Sequence, residues 1–134
     1  MTTEEKVTYW VKISNDDLTI AETMLRNKYR LYTGFMCHQA IEKIFKAGYV
    51  KLKNETPPYT HHLVRLAELS GFYELFSEEQ KVFLSNLNPL NIEARYPDYK
   101  ELIAKSLTDE RCKHIFEQTK DLLQWIKEKI LLEK

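Results

Sequence analysis

The chain has 134 residues, 43% apolar and 30% charged, and its 20 basic side chains balance 20 acidic ones. That length and apolar content suit one hydrophobic core that folds without metals or disulfides, while 3 Gly and 4 Pro are too few for a turn-rich all-β fold. Zero net charge argues against the strongly basic class of nucleic-acid domains, and it protects poorly against self-association.

The N-terminus, Met1-Thr2-Thr3-Glu4-Glu5-Lys6, has no apolar run and does not read as a signal peptide. No stretch approaches the roughly 20 apolar residues needed to span a bilayer. A cytoplasmic location is expected, with Cys37 and Cys112 as buried, reduced thiols; a disulfide between them is the minor alternative. Neither cysteine has a second Cys or His at ligand spacing on its own helical face, so no metal cluster is expected.

A first helix is predicted from about Thr3 to Lys28, with Trp10, Ile13, Ile20, Met24 and Leu25 at helical spacing and Asp17 interrupting that stripe. A second runs from about Tyr32 to Lys53. Its apolar stripe is Cys37, Ile41, Ile44, Gly48 and Leu52, and beside it lies a polar one of Phe35, Gln39, Glu42 and Lys46. Pro57-Pro58 makes Asn54–Tyr59 a loop. Thr60 is the expected N-cap of a short helix, His61 to Ser70, which stops at Gly71.

Ser77-Glu78-Glu79-Gln80 is a capping box that opens the next helix. Pro89 should kink that helix, which is expected to end before Pro97. Tyr99–Leu107 is ambiguous. Thr108 caps a final helix with a regular stripe of Ile115, Phe116, Thr119, Leu122, Leu123, Ile126 and Ile130. The expected fold is therefore all-α over residues 1–134: an antiparallel up-and-down four-helix bundle with one extra short helix.

Several polar residues stand out against this pattern. Asp17 on a core-facing stripe requires a partner, with Lys43, Lys46 and Arg95 as candidates, or else it serves a ligand or an interface. Gln39, Glu42 and Lys46 form either a polar groove or dimer surface, or a solvated face with an ordinary ion pair. His61 either fixes its loop by local hydrogen bonds or contributes to a site. Arg95 is the best candidate for an anion contact, and the alternative is a salt bridge to Asp17 or Glu42. Cys37, His38, Cys112 and His114 read as packing residues. Gly34, Gly48 and Gly71 cannot form a phosphate loop.

Three segments carry a family resemblance, in order and spacing, over about residues 5 to 130. They are His38-Gln39-Ala40-Ile41-Glu42-Lys43-Ile44-Phe45-Lys46-Ala47, Thr60-His61-His62-Leu63 and Asn91-Ile92-Glu93-Ala94-Arg95-Tyr96-Pro97-Asp98. Trp10 and Asp16-Asp17-Leu18 fit as well. Together they resemble the HEPN family of helical domains. The resemblance implies a domain that usually dimerises, that often accompanies a small nucleotidyltransferase, and whose ligand would be nucleotide-like. That ligand would lie near Arg95, Lys46 and the His61 loop, with Gln39 and Glu42 beside it and Asp17, Trp10, Tyr96 and Pro97 in structural roles. No cofactor is implied.

Ribonuclease members of that family carry an Arg followed by a His after four to six intervening residues. Here Arg26, Arg30, Arg65, Arg95 and Arg111 all lack one; His38 follows Arg30 after seven. The expected function is a non-catalytic domain. A divergent ribonuclease and a purely structural dimerisation module are the alternatives.

Overall fold

The computed structural model describes residues 1–92 and 96–132. Every regular element among them is helical. There are three 24-residue helices, α1 (Thr3–Arg26), α2 (Arg30–Lys53) and α6 (Asp109–Leu132), and three short ones, α3 (Leu63–Leu69), α4 (Glu78–Leu87) and α5 (Pro97–Ser106). None is long and apolar enough to cross a membrane.

Local chemistry sets most of the helix ends. Thr2 accepts from the Glu5 amide at 3.1 Å while the Glu5 carboxylate accepts from the Thr2 amide, which closes the first turn of α1. Ser77 and Gln80 do the same for α4, and Thr108 caps α6 through the Arg111 amide at 3.1 Å. Gly71, at φ +84°, supplies the left-handed residue after α3 that a side chain resists.

Three expectations are corrected here. Thr60 does not cap α3; it accepts from the His62 amide, and His62 Nδ1 caps the helix by accepting from the Arg65 amide, so α3 begins at Leu63. Pro89 does not kink a continuing helix: α4 stops at Leu87 and a single 3-10 turn, Asn88–Leu90, follows. The ambiguous stretch after Tyr96 is helix, because Pro97 sits in the first turn of α5, where its missing amide costs no bond. The bundle thus has two short helices besides α4.

Arg30 and Asp109 pair at 2.7 Å, and at the far end Lys51 donates to the Ile130 carbonyl, so α2 and α6 run parallel. Thr3 donates to the Asn54 side chain, joining the start of α1 to the residue after α2, so these two are antiparallel. Small residues let α1 and α2 approach closely: Ser14 and Ala21 are fully buried on α1, and Ser14 Oγ donates to the Ala40 carbonyl at 2.6 Å. Helix α2 is central, since 14 of its 24 residues are buried. Ile41, Ile44 and Phe45 meet Leu63, Leu66, Leu84, Leu87, Leu123 and Ile126 from the surrounding helices. Two residues assigned to apolar stripes, Ile20 and Leu52, instead lie at the surface.

Candidate functional site

His38, Glu42 and Lys46 follow one another at four-residue steps on α2 and share one face. That face turns inward: Glu42 is 1% exposed, Lys46 7% and His38 0%. A carboxylate so buried has to be paired, and both of its oxygens are. Lys46 Nζ donates to Oε2 at 3.1 Å, and His61 Nδ1 donates to Oε1 at 2.9 Å from the loop between α2 and α3. Lys46 also sits 5.7 Å from the centre of the Trp10 ring, a cation–π contact that ties α1 into the cluster. Tyr59 makes an edge-to-face contact with His61 from outside, with ring centres 5.8 Å apart.

His38 is the odd member. Its Nδ1 is 3.9 Å from Glu42 Oε1, too far for a hydrogen bond, and neither ring nitrogen has a hydrogen-bond partner among the described residues. Burial pushes its pKa down to about 4, although the Glu42 charge pulls it upward, so the ring is neutral at pH 7.

Gln39 belongs to a different constellation. Lys43 Nζ donates to Gln39 at 2.9 Å and to Asp17 of α1 at 3.4 Å. Burial raises the Asp17 carboxyl, and the Lys43 charge offsets part of that. Of the candidate partners for Asp17, Lys43 is the one that the described residues bring to it. The polar face of α2 is two separate lines, one closing on the His61 loop and one on α1.

Lys46, His61 and Glu42 thus lie together, as a group in which one carboxylate accepts a hydrogen bond from each of the other two. Tyr96 is 85% exposed, while Pro97 starts α5. Arg95 lies outside the described residues. No three ligating side chains gather around a metal position among the described residues. Cys37 and Cys112 are buried free thiols, and burial drives Cys37 up to about 12, which makes it unreactive. The sequence reading missed His38 as a member of the cluster; its i, i+4 spacing to Glu42 was the available signal.

No curated protein matches the sequence. Among solved structures the chain is similar to the crystal structure of TT1696 from Thermus thermophilus. The TM-score is 0.77 at 19% identity, covering 92% of this chain and 98% of that one, which establishes a shared fold. The HEPN domain family model matches residues 7–130, nearly the whole length. The match spans α1 through most of α6, including the α2 signature on which the polar cluster is built, and the chain belongs to the HEPN domain family.

Proposed function

We propose that this HEPN domain is non-catalytic and works by association, as a homodimer that partners a small nucleotidyltransferase. The observation that carries the reading is an apolar strip left on the α1–α2 hairpin. Tyr9, Ile20 and Tyr32 are exposed, and Ile13, Met24 and Met36 are only half-buried. On α1, Tyr9, Ile13, Ile20 and Met24 stand on one side of the helix, four or seven residues apart. Helices of this length extend about 36 Å, enough for the ~800 Å² per partner of a standard interface. The Asp17–Lys43–Gln39 group satisfies itself, so an interface there buries no unpaired charge.

The missing Arg–His spacing supports the non-catalytic part of the reading. A nucleotide ligand at Lys46 and His61 ranks second, because the Glu42 carboxylate already pairs with the Lys46 charge and would repel a phosphate. The nucleotidyltransferase partnership rests on family membership.

Light scattering at micromolar concentration tests the association. The expected mass is twice the 16.0 kDa of the chain, falling to one chain in Ile20→Glu. A monomeric wild-type protein overturns the reading. Co-expression with a small nucleotidyltransferase encoded beside it, followed by size exclusion, tests the partnership.

A further inference from the structure

The segment between α2 and α3, residues 54–62, is fastened lightly to the helix it crosses. Pro57 and Pro58 have no amide to donate. The Thr60 and His62 amides bond within the segment, to the Pro58 carbonyl and the Thr60 hydroxyl. Between Glu55 and His62, two side-chain bonds reach α2. Glu55 meets Tyr49 at 3.2 Å in an exposed position, and His61 meets the buried Glu42 at 2.9 Å. The oxygen that accepts from His61, Glu42 Oε1, also faces His38 Nδ1 at 3.9 Å. Three groups able to carry a positive charge therefore surround one carboxylate. Their side chains differ in access to water: His38 is 0% exposed, Lys46 9% and His61 47%.

We propose that this segment is an acid-released strap: a proton taken up by His38 frees His61 from Glu42, and residues 55–62 lift from the middle of α2. Charge carries the first part of the argument. At neutral pH the Glu42 charge balances that of Lys46. Protonating His61 alone keeps its bond, because the neutral Nδ1–H ring and the imidazolium both donate from Nδ1. Protonating His38 adds a charge that has no route to water, beside the same oxygen. Of the three cations, His61 is the one that can exchange the carboxylate for solvent, and it takes the strap with it.

Linkage carries the second part. Burial holds His38 down at about 4; the Glu42 charge opposes this, while the His61 ring and Lys43 add to it. The His61 carbonyl also favours the charged ring, but by less than the His61 ring disfavours it. Asp17, on α1, is held by Lys43 and feels the Glu42 charge. Lifting the strap removes the His61 ring and carbonyl from His38 and admits water. The open form then binds the proton that the latched form refuses, so acid favours opening. A ring that returns from about 4 to the ordinary 6.5 raises the open-to-latched ratio about 30-fold between pH 7.5 and 5. Strap and α1–α2 strip are separate sets of residues, so this inference does not depend on the dimer.

The test is nuclear magnetic resonance relaxation dispersion on the 15N-labelled protein at pH 7.5 and pH 5, which measures a minor form and its amide shifts. The expected result is a minor form confined to the strap, seen at the amides of residues 59–62, whose population rises at least about tenfold at pH 5. Amides of Ile41, Ile44 and Phe45 should not report it. In His38→Phe the population should be equal at the two pH values, with thermal unfolding as the check that the variant folds. His61→Ala, at a half-exposed position, removes the latch, and its main form at pH 7.5 should carry the amide shifts of the wild-type minor form. That comparison decides the matter even if His38→Phe fails to fold. The proposal is overturned by no exchange at residues 59–62 at pH 5, by exchange that keeps its pH dependence in His38→Phe, or by His61→Ala shifts that match the latched form. It is overturned as well if the α2 amides report the same process, since the whole fold would then be opening.

Discussion

Glu42 and His61 meet at 2.9 Å although nineteen residues separate them, and their contact fastens the Pro57-Pro58 loop to the middle of the central helix. The carboxylate is the buried partner, 2% exposed in its side chain, whereas half of the imidazole faces solvent. The same carboxylate holds Lys46, whose ammonium lies over Trp10, so α1, α2 and the loop depend on one acid.

Removing that acid should be costly. Glu42→Ala leaves the Lys46 ammonium buried without its counter-charge, and the expected loss is about 3–5 kcal/mol. Replacing both partners at once, Glu42→Leu with Lys46→Met, should recover most of it, because apolar groups of similar size need no pairing. His61→Ala should cost only about 1 kcal/mol, since the ring is half in water. Urea unfolding of the three proteins checks the order, and a Glu42→Ala midpoint equal to wild type contradicts it.

His38 makes the fold sensitive to acid. Its pKa is about 4 in the fold against an ordinary 6.5, so between those values the unfolded chain takes up a proton that the folded chain refuses. Stability is therefore full above pH 6.5 and falls as pH drops toward 4, by up to about 3 kcal/mol from this group. Asp17 works in the opposite sense: its carboxyl is raised by burial, so protonation near its raised pKa relieves a cost of folding. Urea midpoints at pH 7.5 and pH 5 should differ in wild type and much less in His38→Phe. A flat wild-type profile would show that His38 titrates normally.

The core assignment predicts unequal losses at two positions. Ile41 is fully buried in the central helix, and Ile41→Ala should cost about 2–5 kcal/mol. Trp10 is only partly buried and packs against the edge of the core, under Lys46. Trp10→Ala should therefore cost less than the roughly 3–5 kcal/mol of a fully buried aromatic. Chemical denaturation of both variants checks this, and a larger loss at Trp10 would reverse their ranking.

How much of this was legible in the sequence depended on whether the deciding interaction was local. The starts of α4 and α6 were readable because Ser77 and Thr108 bond within their own first turns; the Thr2 cap of α1 is equally local. Pro89 and Pro97 were harder. Proline says that a helix cannot pass through, but not that the chain stops at one and restarts at the other. Thr60 and His62 are both able to cap, and α3 takes the His62 option, with Asn88 accepting from the Leu63 amide at 2.8 Å across the fold. The Glu42–Lys46 pair was visible from i, i+4 spacing, and His38 was equally visible by the same rule. That His61 completes the pair, while Gln39 turns away to Lys43, depended on how the loop and α1 pack on α2.

Of the three glycines, Gly48 leaves the least room for a Cβ, and it yields a prediction whose sign opposes helix propensity. Gly in a helix interior costs about 1 kcal/mol relative to Ala, so Gly48→Ala should stabilise α2 on local grounds. A Cβ at Gly48, however, would lie 2.4 Å from Phe72 Cε2 and 2.9 Å from its Cζ. The ring cannot retreat easily: it is 5% exposed, tilted against Phe45 at 6.1 Å, and belongs to the core. Overpacking of this kind costs about 1–3 kcal/mol, so the net change should be a loss of up to about 2 kcal/mol. Gly34 is the control. A Cβ there would meet only the end of the Leu90 side chain at 3.1 Å, which can give by a few tenths of an ångström, so the clash and the propensity gain should nearly cancel. Pairing Gly48→Ala with Phe72→Leu should restore part of the loss, because the smaller side chain vacates the ring position. Thermal unfolding of the four proteins decides the matter, and a Gly48→Ala protein more stable than wild type would show that Phe72 repacks freely.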